Sequence, residues 1–497
     1  MFCALQINML FKETNKMADE KWYHNALMVN RDPCWYWYAI DDSSAEACRK
    51  SVENYFSLYE GAITDICLCV FEQSSLIPSD AFHWRGEKYF WKKENGIDVD
   101  YTNTPIKNLY KCFAEYKVDA VQIFIDCMKK LGIRPWISLR MNDAHFNADA
   151  TSFLHSEMFY EEVAAGHVIG EKYGYYGKCF DFKYPRYKNA LLKYIEEVVG
   201  KYDMFGFEID FMRECHCFDY KNDPECHKIM TEYIREIRKI VRKAEERVGH
   251  DIKVSLRTCR SPRDAKAFGF DVKTLVDEGL IDVVIPAPRW SPTDSGIPIR
   301  EWRELLGDDF PVVAGIEASL LKLTTNQPEN SKAYAASFYA QGADGLYFHN
   351  HEYYNDHNRA VWKITRENCL EGYREFVVLP QDMAAYDEWR YKPLPLNVDG
   401  SADLPLELGR IKADDTVKVV IDFSGDELPT LDVGGVAGVV PTDAEHITVG
   451  SGDKAIDFTP NKALEFDISG VSTECPLTLT FNGKGTVNYV TIRIDAK

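Results

Sequence analysis

The chain has 497 residues, 45% hydrophobic and 27% charged. That is the composition of a globular protein with a sizeable core, too long for one ordinary domain unless a single barrel with insertions takes most of it. Its 58 basic residues against 78 acidic ones give a formal net charge of −20, which argues against nucleic acid or an anionic membrane as the main partner, since both demand clustered positive charge.

Residues 1–20 read as a loose leader. Met1–Phe11 lacks the basic start and small-residue cleavage site of a signal peptide, so a cytoplasmic protein is expected. No run of about 18 apolar residues predicts a membrane span. Ala26–Asn30 is a first short strand, followed by the aromatic loop Cys34–Tyr38 with Trp35 and Trp37; Asp42-Ser43-Ser44 then caps a helix running to about Tyr59. Ile63–Val70 is a second strand, and after a polar insertion Val118–Leu131 is helical until Gly132 breaks it. The third strand starts at Arg134, and Phe146–Phe182 reads as a long irregular segment. A helix over Asn189–Tyr202 leads to the fourth strand, Met204–Glu214.

The pattern then repeats. Helix His227–Val248, strand Asp251–Cys259, helix Val272–Glu278, strand Ile281–Trp290, helix Arg300–Leu306, strand Pro311–Ser319, helix Ser331–Gln341 and strand Ala343–His351 follow in turn. Eight apolar strands, each followed by helix, predict parallel βαβ units closed into a (β/α)8 barrel over 21–387. Beyond the Pro393/Pro395 linker, the alternating runs Thr416–Phe423, Leu477–Phe481 and Val487–Ile494 predict an all-β sandwich domain over 388–497. The 14 cysteines are scattered, several inside strands or helices, as buried reduced thiols are.

The fourth strand concentrates the chemistry. Its apolar residues alternate with Glu208 and Asp210, which therefore share a face, and a pair of acids in a core strand is costly without cations or a reaction that needs it. Active sites of such barrels lie at the C-terminal strand ends, where this chain places Arg140, Asn142, Asp143, His145, Arg213, Arg257, Arg289, Trp290, Glu317, His349, His351 and Tyr353. Asp210 and Glu317 stand on opposite walls as a candidate catalytic pair, with Glu208 one layer deeper to tune Asp210. The four arginines read in two ways: as forks for an anionic sugar, or as counter-charges for wall acids. Trp35, Trp37, Trp290 and Tyr353 suit sugar stacking. No cofactor motif and no bound metal are expected: Cys215-His216-Cys217 with Cys226-His227 is a poor zinc pattern, and His349/His351 a weak metal pair.

Arg140-Met-Asn-Asp-Ala-His145 and Gly206-Phe-Glu-Ile-Asp-Phe-Met-Arg213 resemble segments of bacterial glycoside-hydrolase-like (β/α)8 barrels, over roughly residues 25–385. The fourth strand also resembles that of chitinase-type barrels, with Met212 where their catalytic Glu stands. The resemblance implies cleavage of a glycosidic bond by two carboxylates. They would lie about 5–5.5 Å apart for retention or about 6.5–9.5 Å for inversion. Two other readings remain open: a non-catalytic carbohydrate-binding barrel, and a metal-dependent hydrolase or lyase. The sugar and the oligomeric state are not legible.

Overall fold

The computed structural model describes residues 21–31, 39–84, 106–143, 147, 155–288, 295–317, 328–349, 360–378, 393–444, 448–449, 456–457 and 462–497. Eight parallel strands run β1 Leu27–Arg31, β2 Asp65–Glu72, β3 Arg134–Arg140, β4 Gly206–Asp210, β5 Lys253–Thr258, β6 Val283–Pro286, β7 Val313–Glu317 and β8 Gly345–His349. They pair in the order β6-β5-β4-β3-β2-β1-β8-β7. A parallel bridge, Val284–Val312, joins β6 to β7 and nearly closes the ring. This is the expected (β/α)8 barrel, followed by an all-β C-terminal unit.

Strand parity explains both layers of the core. Phe207 and Ile209 of β4 face outward and pack with the helices, as do Val254 and Leu256 of β5 and Leu346 and Phe348 of β8. The inward positions near the strand starts hold Ala26, Met28, Cys67, Trp136, Val283 and Val313, an apolar plug that closes the bottom of the barrel. Trp136 fills so much of it that a Cβ on the neighbouring Gly206 would sit 2.2 Å from the indole ring. Above this plug the inward positions turn polar, which sets the level of the candidate site.

The helices begin and end where local chemistry dictates. Ser44 accepts a hydrogen bond from Ala47 N to start Ala45–Ser57, and Asp119 does the same for Val121 and Gln122 at the head of Ala120–Leu131. Gly132 closes that helix in the left-handed conformation. Three sequence expectations are corrected. β2 runs on to Glu72 because an irregularity between Cys69 and Phe71 inserts one residue and resets the parity of the strand. The stretch read as irregular carries the helix Glu157–Ala165 and the 3-10 turns Glu171–Lys178, short pieces cut by Gly166 and Gly170 at positive φ. A helix at Pro262–Ala267, capped by Ser261, went unanticipated because its six residues are too few to show periodicity.

The helix Pro328–Ala340 is buried on nearly every side. Its sequence is rich in Ala, Tyr and Phe all round, as a helix between two layers must be. One face meets the barrel. The other meets the C-terminal unit, where Tyr334 Oη donates to Val377 O at 2.8 Å and Asn330 Nδ2 to Glu375 O at 2.9 Å. That unit is an antiparallel sheet built on the long strand Leu477–Asp495. The first half of this strand pairs with Leu396–Leu406 and the second with Thr416–Ser424 and Tyr373–Val378. Its alternating Leu477, Leu479, Phe481, Val487, Ile492 and Ile494 are buried as the sheet curls round them.

Candidate active site at the C-terminal ends of the strands

Asp210 is the last residue of β4 and Arg257 its lateral neighbour on β5; Glu317 ends β7 beside His349 on β8. All four are buried. Arg257 bridges the two walls: its Nη1 donates to both Asp210 oxygens at 3.0 and 3.1 Å, and its Nη2 to Glu317 Oε2 at 3.0 Å. The other Glu317 oxygen lies 2.6 Å from His349 Nδ1. Asp210 Oδ1 also accepts from the backbone N–H groups of Met212 and Arg213, at 2.8 and 3.1 Å, so the turn after β4 is folded around this carboxylate. The two acids chosen from sequence thus converge on a single guanidinium.

Glu208 lies one layer below. Its Oε1 accepts from Asn30 Nδ2 and Ser138 Oγ, both at 2.6 Å, and from Tyr347 Oη at 3.0 Å. Oε2 is buried and has no hydrogen-bond partner among the described residues. Burial, and then the charge of Asp210, push its pKa up to about 7, outweighing the Ser138 hydrogen bond, the Arg257 charge and the Tyr347 hydrogen bond. Tyr347 also lies under Arg257, whose guanidinium carbon is 5.6 Å from the ring centroid. Burial penalises the Arg257 cation too. Asp210, Tyr347 and Glu317 more than offset that and hold its pKa above the ordinary arginine value.

A second buried network lies on β2 and β3 and in the turn after β4. Arg140 pairs with Glu72 and lies 3.7 Å from Asp143, and Arg213 lies 3.6 Å from the same Asp143 oxygen. Arg140, Arg213 and Arg257, the candidate arginines at described positions, therefore each lie beside a wall acid. Asn142 is spent on the backbone: its Nδ2 donates to Phe180 O at 2.9 Å and His216 O at 3.1 Å, while Phe180 N donates to its Oδ1 at 3.1 Å. It pins two loops together. His145, Arg289, Trp290, His351, Tyr353, Trp35 and Trp37 lie outside the described residues.

Sequence reasoning missed Glu72, Asn30, Ser138 and Tyr347. A polar residue closing an apolar run was the available signal for Asn30, while Glu72 was hidden by the bulge in β2. In the loop after β4, His216 is buried and stacks on Tyr176 at 3.9 Å, and Cys215 and Cys217 are buried. Among the described residues no group of three or more His, Cys, Asp or Glu side chains is placed to hold a metal ion. No described helix is long and apolar enough to cross a membrane.

No family model matches the chain, and no curated protein matches it. Among solved structures it is similar to an alpha-L-fucosidase from Vibrio sp. strain EJY3, at 8% identity over 96% of this chain and 97% of that one, with a TM-score of 0.38. A glycoside hydrolase domain from Bordetella bronchiseptica matches at 9% identity over 73% and 99%, TM-score 0.37. A chitinase from Chromobacterium violaceum ATCC 12472 matches at 12% over 68% and 98%, TM-score 0.33. Likeness at this distance carries nothing about the chemistry of the site.

Proposed function

We propose that the protein hydrolyses a glycosidic bond with Asp210 and Glu317 as its carboxylate pair. The observation that carries this reading is the convergence of the two acids, from opposite walls of the barrel, on Arg257. Glu317 shares a hydrogen bond with His349 and so has a partner with which to exchange a proton, which suits the general acid. Among the described residues Asp210 meets only donors, which suits the nucleophile or the base that activates water. Arg140, Arg213 and Arg257 each lie beside wall acids, which supports an uncharged saccharide over an anionic one.

A panel of chromogenic glycosides tests the reading. Release of the chromophore from at least one neutral glycoside is the expected result, and silence across the panel contradicts it.

A second reading is favoured by one specific observation: both carboxylates are fully buried and ion-paired, as in a network that only holds walls together. The protein would then bind carbohydrate without cleaving it. Calorimetric binding of a glycan that remains intact would select this alternative.

A further inference from the structure

Cys48, in the helix after β1, and Cys112 are 64 residues apart in sequence, yet both are buried and their sulfurs lie 2.9 Å from one another. We propose that these two thiols form a modification site, an oxidisable pair that closes into an intramolecular disulfide. The contact is built by its surroundings. Cys112 belongs to the wide turn Lys111–Glu115, where Tyr116 N reaches back five residues to Lys111 O at 2.8 Å. Three further contacts seat this segment against the residues before the Cys48 helix: Asn108 Nδ2 donates to Ile40 O at 3.2 Å, Lys111 Nζ to Asp42 O at 3.2 Å and Tyr116 Oη to Asp42 O at 2.9 Å. The sulfurs are thus held together by bonds that do not involve them.

The two thiols are also chemically unequal. The contact with Cys112 draws the Cys48 pKa below the usual thiol value, while the same contact and burial push Cys112 up. A thiol of lowered pKa beside one of raised pKa is the arrangement of an attacking and a resolving cysteine. With a peroxide as oxidant, the Cys48 thiolate attacks one peroxide oxygen, giving the sulfenic acid and hydroxide, which takes up a proton to become water. The Cys112 thiol then displaces the sulfenic oxygen as a second water, leaving the S–S bond. Two thiols lose two electrons and hydrogen peroxide gains them.

The pair is also connected to the barrel mouth. The Cys48 helix carries Tyr55, and Tyr59 lies just beyond its end; the Arg31 guanidinium sits 5.4 and 5.9 Å from their rings, at the end of β1. A cross-link would fix the helix that supports this arginine. Elsewhere, burial and Glu208 disfavour the Cys67 thiolate, and burial disfavours those of Cys215 and Cys217.

The test is peptide mapping of the intact, folded protein without reduction, after treatment with stoichiometric hydrogen peroxide. The expected result is one linked peptide pair containing Cys48 and Cys112, with a midpoint of thermal unfolding a few degrees higher that falls back on reduction. In Cys112→Ser the sulfenic acid should persist at Cys48 and be captured by dimedone. If both thiols remain alkylatable on denaturation after peroxide, or if another pair links instead, the proposal is wrong.

Discussion

At the scale of single residues, Glu208 and Arg257 make the most exposed claims. The raised pKa of Glu208 means that the folded state keeps its proton to about pH 7, whereas the unfolded chain releases it near 4.5. Between these values the unfolded state binds fewer protons, so stability falls as pH rises, by on the order of 3 kcal/mol across the window. Glu208→Gln removes the titrating group, and denaturation midpoints measured from pH 4.5 to 7.5 should then lose that part of their slope. A variant whose slope equals that of the parent contradicts the assignment. Arg257→Met removes the cation shared by two buried carboxylates, Asp210 and Glu317, and is expected to cost about 3–5 kcal/mol, read by urea denaturation. A loss below about 1 kcal/mol would show that the guanidinium does not hold the walls as described.

At the scale of elements, Asn142 is a polar strand-end residue tied to the backbone of two loops. It follows Arg140 toward the mouth and looks like a substrate ligand, but its amide is committed to Phe180 and His216. Asn142→Ala should therefore destabilise the protein by about 2–3 kcal/mol, because three backbone groups lose their partner, while leaving the substrate KM nearly unchanged. A large rise in KM with stability preserved would show that Asn142 is a substrate ligand instead. The eight strands were legible from sequence because each places apolar residues outward at every second position, a signal that survives without knowledge of neighbours. The parity of β2 past Cys69 was not, because a one-residue bulge is a property of pairing with β3. The same limit applies to the arginines: the residue type marks Arg140, Arg213 and Arg257 as noteworthy, but only the fold shows Glu72, Asp143, Asp210 and Glu317 beside them.

At the scale of the whole molecule, the barrel and the C-terminal sheet share the helix Pro328–Ala340 as a common wall, and Arg300 reaches across to Glu407 at 3.4 Å. Tyr373–Val378 pairs with the end of the long strand Leu477–Asp495, so the sheet takes in chain from before the expected linker. A chain ending at residue 378 would lose the partner strand and uncover Tyr334 and Phe376, which lie 5.3 Å apart at this wall. It should aggregate on expression, and a monodisperse truncated barrel seen by light scattering would contradict that dependence. Across the whole barrel, one carboxylate from β4 and one from β7 meet at the Arg257 guanidinium, the point at which the proposed reaction would take place. The most direct measurement is turnover of the best glycoside from the panel by Asp210→Asn, Glu317→Gln and the double variant, with folding followed by circular dichroism. A loss in kcat of roughly 10³-fold or more is expected for each folded single variant, with little further loss for the double; near-parental turnover by either folded single variant would rule out Asp210 and Glu317 as the reacting pair.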